Sequence, residues 1–192
     1  MQRQARGICM GQELTDRECA LLSQQGDHAA YSVLVRRYQD RIYRFILRMV
    51  CSRDEALELA QDVLIKAFQA MSGWRPEAEF RTWLFRIASN TATDALRRRK
   101  VVEFVALDED YDVPGEGAGP EAQLAAKQQL IALQAALDRL PPDHREILLL
   151  REVEDMSYNE IGTTLGITEG TVKSRLARAR AAVIDHYRRK NA

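Results

Sequence analysis

Residues 157–180 read SYNEIGTTLGITEGTVKSRLARAR, and their spacing describes a surface built to meet a base edge. Ser157 followed by Glu160 is a capping box, in which the hydroxyl accepts from a free backbone N–H and the carboxylate reaches back to the cap. A helix therefore starts at Ser157. Ile161 and Leu165 lie four apart on one face, Gly166 supplies the positive φ that ends the helix, and Ile167 covers the apolar side. Thr168 caps a second helix. On it Val172, Leu176, Ala179 and Val183 form the inward stripe, while Lys173, Ser174, Ala177 and Arg178 are left to face outward. A helix apolar behind and basic in front fits the major groove, where Arg and Lys pair with guanine O6 and N7 and small residues admit thymine methyls. Residues 171–190 hold seven basic side chains against one acid, Asp185. That excess separates the stretch from an ordinary amphipathic core helix.

The rest of the chain must position that helix. With 192 residues and 46% apolar content, one or two soluble globular domains are expected. No run of about 18 apolar residues occurs, so no membrane span is expected. Residues 1–11, MQRQARGICMG, lack the apolar core of a secretory signal; they read as a disordered tail or extension, and the chain as cytoplasmic. Cys9, Cys19 and Cys51 are odd in number and widely spaced, which argues against a disulfide framework or a zinc site. His28, His144 and His186 are isolated, so no metal or other cofactor is indicated.

Net charge is zero, yet the charges are segregated. Residues 12–100 carry 15 basic and 12 acidic side chains, residues 101–140 two and eight, and residues 141–192 nine and eight. The acidic middle, VVEFVALDEDYDVPGEGAGPE, has two prolines, three alternating glycines and no apolar period, so residues 101–120 read as a linker between domains 12–100 and 121–192. Extended, some 20 residues reach about 65 Å.

Upstream, everything reads as helix. Thr15/Glu18 and Ser52/Glu55 are capping boxes, and Asp27 after Gly26 marks a third start. Tyr31, Leu34, Val35, Tyr38, Ile42, Phe45, Ile46 and Met49 keep three and four spacing; Ala56, Leu59, Ala60, Val63 and Ala67 repeat it, then Phe80, Trp83, Leu84, Ile87 and Thr91. The fold class is all-α: two small helical domains joined by a flexible acidic linker. Two features exceed what packing needs. In MSGWRPEAEF, Trp74 beside Arg75 is either a stacking platform for an unpaired base or a ring folded back onto the helices. The last helix of the first domain carries Arg81, Arg86, Asn90, Arg97, Arg98, Arg99 and Lys100. Asn90 has the amide that pairs with adenine. The terminal RRRK serves either nucleic acid or the helix dipole.

With those motifs in view, the chain resembles the extracytoplasmic function class of bacterial RNA polymerase sigma factors. The motifs are ELAQDVLIKAF at 58–68, FRTWLFRIASNTATDALRRR at 80–99 and LPPDHREILLLREVEDMSYNEIGTTLGITEGTVKSRLARAR at 140–180. Within the class, the finer resemblance is to the nickel and cobalt resistance branch. The resemblance implies that residues 12–100 are sigma region 2, which binds core polymerase and opens the −10 element, and residues 121–192 are region 4, which reads the −35 duplex. Position by position it implies polymerase contacts at Leu59, Gln61, Asp62, Val63 and Lys66. The −10 contacts it implies are Trp74, Arg75, Arg86, Asn90, Arg97 and Arg98, and the −35 contacts Thr171, Lys173, Ser174, Ala177 and Arg178. Leu64 and Ala177 depart from residues common in the class. The implied partners are core RNA polymerase, promoter DNA and an anti-sigma factor anchored in the membrane, with no small-molecule substrate. The rival reading is a dimeric helix-turn-helix regulator on a palindrome. No carboxylate pair or activated nucleophile suggests an enzyme.

Overall fold

The computed structural model describes residues 14–102 and 134–190, and every element among them is helical. The tail 1–11 and nearly all of the expected linker lie outside the described residues.

Four helices make the first domain: α1 Asp16–Gln24, α2 His28–Val50, α3 Arg53–Gln69 and α4 Phe80–Val102, with a single 3-10 turn at Met71–Gly73 between the last two. Their starts follow the local chemistry. Thr15 and Glu18 form a reciprocal capping box, Asp27 Oδ1 accepts from the amides of Ala29 and Ala30, and Ser52 Oγ accepts from Glu55 N. Each removes an orphan donor that would otherwise be left at a helix end. Gly26 turns the chain at φ 90°. The apolar stripes meet in a core of Leu34, Ile42, Phe45, Ile46, Met49, Val63, Leu84 and Phe85, all at most 1% exposed. Helix α4 runs to Val102, two residues into the segment expected as linker.

The second domain contains a helical segment ending at residue 138, then α5 Pro142–Leu148, a π turn at Leu149–Val153, α6 Tyr158–Leu165 and α7 Glu169–Lys190. Pro142 opens α5 at a position where its missing N–H costs nothing.

The two domains are not held apart. Buried apolar side chains of both join in one continuous cluster, and α4 lies against α6. Polar contacts reinforce the seam. Arg41 donates through Nε and Nη2 to Glu154 at 2.9 and 2.7 Å, Arg81 pairs with Glu160, and the Ser89 hydroxyl donates to the buried Glu146 carboxylate. Arg145, 7% exposed, donates to the carbonyls of Leu137, Asp138 and Leu140 in its own domain. Its Nη1 also donates to those of Met49 and Arg48 in the last turn of α2. One guanidinium thus caps two helix C-termini in different domains, where the macrodipole favours a cation.

Candidate nucleic-acid interface

Helix α7 presents its outward residues as the spacing requires. Thr168 Oγ1 accepts from Thr171 N at 3.3 Å and so caps the helix. Val172, Leu176 and Ala179 are at most 1% exposed, Val183 is half-buried, and Lys173, Ser174, Ala177 and Arg178 are exposed, with Thr171 half-buried at their edge. Arg178 Nη2 donates to Ser174 Oγ at 3.3 Å, and Ser174 Oγ donates to the Thr171 carbonyl at 3.1 Å. Lys173 pairs with Glu169 at 2.6 Å, which holds its ammonium above the usual lysine range, and sits 5.8 Å from the Tyr158 ring centroid.

The turn that fixes α7 depends on two glycines. Gly166 is left-handed at φ 67°, and its N–H and that of Ile167 both reach the Gly162 carbonyl. Gly162 is the residue that spacing missed. A Cβ there would lie 2.8 Å from the Ile167 carbonyl oxygen, so the turn closes only over a bare Cα. Its signal was a glycine inside a helix, a position that costs about 1 kcal/mol relative to alanine unless packing requires it.

Helix α4 carries a second outward stripe. Arg86, Asn90, Asp94, Arg97 and Arg98 are exposed, and Arg97 pairs with Asp94 at 3.5 Å. Arg75 is also exposed. Trp74 is a correction: at 1% exposure its ring packs edge-on to Phe80, 6.3 Å between centroids. The chain around it is tied down by Gln24, whose Nε2 donates to the carbonyls of Met71 and Trp74. Of the two readings, the folded-back ring is the one the structure adopts, and the indole has no free face for a base.

The polymerase-contact set divides in the same way. Gln61, Asp62 and Lys66 are exposed on α3, and Lys66 Nζ donates to Thr91 Oγ1. Leu59 and Val63 are corrections, 7% and 0% exposed and packed inward. In their place α3 shows Leu57, Ile65 and Phe68 to solvent at 55, 54 and 41%. Ile65 and Phe68 line a groove of about 520 Å³ with His28, Tyr31 and Val35 of α2. Among the described residues, no cluster of His, Cys, Asp or Glu could hold a metal ion, and no helix is long and apolar enough to cross a membrane.

Comparison with known proteins gives these two surfaces a common setting. Residues 34–101 match the sigma-70 region 2 family and residues 130–183 match sigma-70 region 4. Together they define a sigma-70 factor with its two helical reading domains. The chain is 34% identical over 182 residues to the ECF RNA polymerase sigma-E factor of Escherichia coli K12, covering 91% of this chain and 95% of the relative. It is 41% identical over 172 residues to the ECF RNA polymerase sigma factor SigE of Mycolicibacterium smegmatis, covering 87% of this chain but 66% of that longer relative. CnrH, solved in complex with the cytosolic domain of CnrY, superposes with a TM-score of 0.68 at 25% identity over 88% of this chain and 95% of that one. The chain belongs to the extracytoplasmic function class of RNA polymerase sigma factors, transcription initiation factors that perform no enzymatic chemistry.

Proposed function

We propose that this sigma factor divides its work among three helices. Region 2 occupies residues 12–100 and docks on core RNA polymerase through the outward side of α3, with Gln61, Asp62 and Lys66 polar and Leu57, Ile65 and Phe68 apolar. The α4 stripe of Arg86 and Asn90, with Arg97, Arg98 and Arg75, takes the −10 element. Extracting one base from the stack costs a few kcal/mol, so a surface that reads the extracted base makes strand opening selective. Trp74 supports that surface from beneath. Region 4 occupies residues 121–192, and Thr171, Lys173, Ser174, Ala177 and Arg178 read the −35 duplex. The acidic linker 101–120 joins the two, and the protein works in the cytoplasm.

The observation that carries this reading is the pair of exposed basic stripes, on α4 and α7, borne by one chain whose two domains match sigma regions 2 and 4. Neighbours of the same architecture were solved with protein partners. CnrH was solved with the cytosolic domain of CnrY, and RpoE of Bartonella quintana with the anti-sigma factor NepR. An anti-sigma factor anchored in the membrane is accordingly the proposed partner, covering the α3 surface until a signal arrives. The finer likeness to the nickel and cobalt resistance branch has the CnrH neighbour in its support, at 25% identity.

The test is reconstitution. Mixed with sigma-free core polymerase and a promoter library, the chain should co-elute with core and start transcripts from a restricted set of sequences. Absence of both ends the sigma reading.

A further inference from the structure

Helix α7 carries an acid on the side that the −35 reading gives to DNA. Glu169 is the one carboxylate in residues 161–184, a stretch that also holds Lys173, Arg175, Arg178 and Arg180. It opens the helix just after the Thr168 cap, one turn before Lys173 and on the same face, and its side chain is 54% exposed. Phosphates are repelled there, so the acid lowers affinity for every duplex unless a base gives something back. An acid does suit the positive end of the helix dipole, and a Glu four residues before a Lys supports a helix. Neither preference calls for the pair to lie on the side that meets DNA.

What sets Glu169 apart is how its charge is held. Its Oε1 lies 2.6 Å from Lys173 Nζ. The same ammonium sits 5.8 Å from the centroid of the Tyr158 ring, which also carries Arg151 at 5.4 Å. Lys173 is bracketed between a carboxylate and an aromatic face, so two long side chains share one orientation before DNA arrives, and less freedom is lost on binding. Arg178, by contrast, rests on the neutral hydroxyl of Ser174.

A donor and an acceptor fixed 2.6 Å apart match the edge of one base pair. Guanine O6 and cytosine N4 are hydrogen-bonded to each other, so they lie about 3 Å apart, and both reach the major groove. Guanine O6, with N7 beside it, accepts from a lysine, and the N4 hydrogen left over from pairing donates to a glutamate. The adenine and thymine edge also sets a donor beside an acceptor. Thymine, however, gives an ammonium one oxygen next to a methyl group, where guanine gives two acceptors. A reversed pair would set guanine's acceptors against the carboxylate.

We infer that Glu169 is a specificity-determining residue of the −35 reader, and that with Lys173 it reads one G·C pair in one orientation, the ammonium on guanine and the carboxylate on the cytosine amino group. The inference rests on the reading that α7 enters the −35 groove, and it adds to that reading a residue outside the set Thr171, Lys173, Ser174, Ala177 and Arg178. Glu169 contributes selectivity rather than strength, because what it gains at cytosine is offset by the phosphates nearby.

The test is selection from a randomised duplex library, by the full chain on core polymerase and by the full chain alone. One G·C pair among the selected sequences should lose its enrichment in both Glu169→Ala and Lys173→Ala, with Glu169→Ala leaving the other positions unchanged. The selected duplex is then made with N4-methylcytosine at that pair, which puts a methyl group in place of the N–H facing the groove. The unaltered protein should bind it about fivefold more weakly, the low end for a good base contact, and Glu169→Ala should bind both duplexes alike. The methylated duplex probes the unaltered protein itself, so the outcome does not depend on how a variant folds. If Lys173→Ala shifts the selected sequences and Glu169→Ala does not, or shifts them at a different pair, the inference falls while the −35 reading stands. An equal gain by Glu169→Ala on all duplexes, or methylation without effect on the unaltered protein, overturns it as well. If neither Lys173→Ala nor Arg178→Ala changes what is selected, α7 is not the reader and both fall together. Selection by the free chain judges Glu169 even where core polymerase is never bound, an outcome that would sink the sigma reading alone.

Discussion

Helices α4 and α7 are nearly equal in length, 23 and 22 residues, and each shows solvent a basic stripe, yet their backs do different things. The back of α7 is closed inside its own domain by Val172, Leu176 and Ala179. The back of α4 is shared: Phe80, Leu84 and Phe85 face its own core, and Arg81 and Ser89 face the other domain. A duplex reader needs only a rigid platform, because the duplex arrives already formed. If α4 opens the −10 duplex as proposed, it does so while touching the other domain on the side away from its exposed stripe.

Four substitutions break or sharpen this contrast. The largest effect is expected from Arg145→Ala, which orphans carbonyls at two helix ends and should cost about 3–5 kcal/mol in chemical denaturation, with both domains losing stability together. Loss confined to the second domain would show that the cap on α2 contributes nothing. Next is Gly162→Ala. The new Cβ meets the Ile167 carbonyl at 2.8 Å, so about 1–3 kcal/mol of strain should enter the turn that aims α7. Duplex binding by region 4 should fall while α4-dependent strand opening is spared.

Arg178→Ala leaves the fold alone and tests reading itself. If its guanidinium pairs with a guanine edge, binding to −35 duplexes should fall by about 1–3 kcal/mol with preference relaxed at one position. An equal loss on all sequences would make Arg178 a phosphate contact. The smallest effect belongs to Glu146→Gln. Burial raises the Glu146 carboxyl above its ordinary value of 4.5, so the folded state holds the proton more tightly than the unfolded one. The resulting penalty is absent below 4.5, grows as pH rises through the raised value and is complete above it. The glutamine variant still accepts from Ser89, and should melt at a higher temperature than the parent at neutral pH, with the gap closing as pH falls towards 4.5. A gap independent of pH would mean that folding does not raise the Glu146 carboxyl.

The elements that could be read in the sequence were those with local causes. Ser157 and Glu160 need only three residues to make a cap, and Gly166 only its own φ; the helix-turn-helix was therefore legible to within a residue. Helical periodicity also placed Leu59 and Val63 inside, and the structure agrees with that reading rather than with the whole-motif transfer that made them contacts. A motif mixes residues that touch a partner with residues that hold the touching ones in place. Trp74 was undecided because its fate depends on Gln24, fifty residues earlier. The seam was invisible for the same reason: Arg41 and Glu154 are 113 residues apart, and each alone reads as a solvated charge.

Cys51 sits where that seam begins. It ends α2 in a left-handed conformation at φ 58°, with its Sγ 3.1 Å from both Asp138 and Arg145, and burial pushes its thiol up to about 12. Thiolate, not thiol, is the species that reacts with an alkylating reagent. With the second domain in place burial leaves little of the thiol ionised, so alkylation of Cys51 should be slow, and it should quicken wherever Asp138 and Arg145 are withdrawn from it.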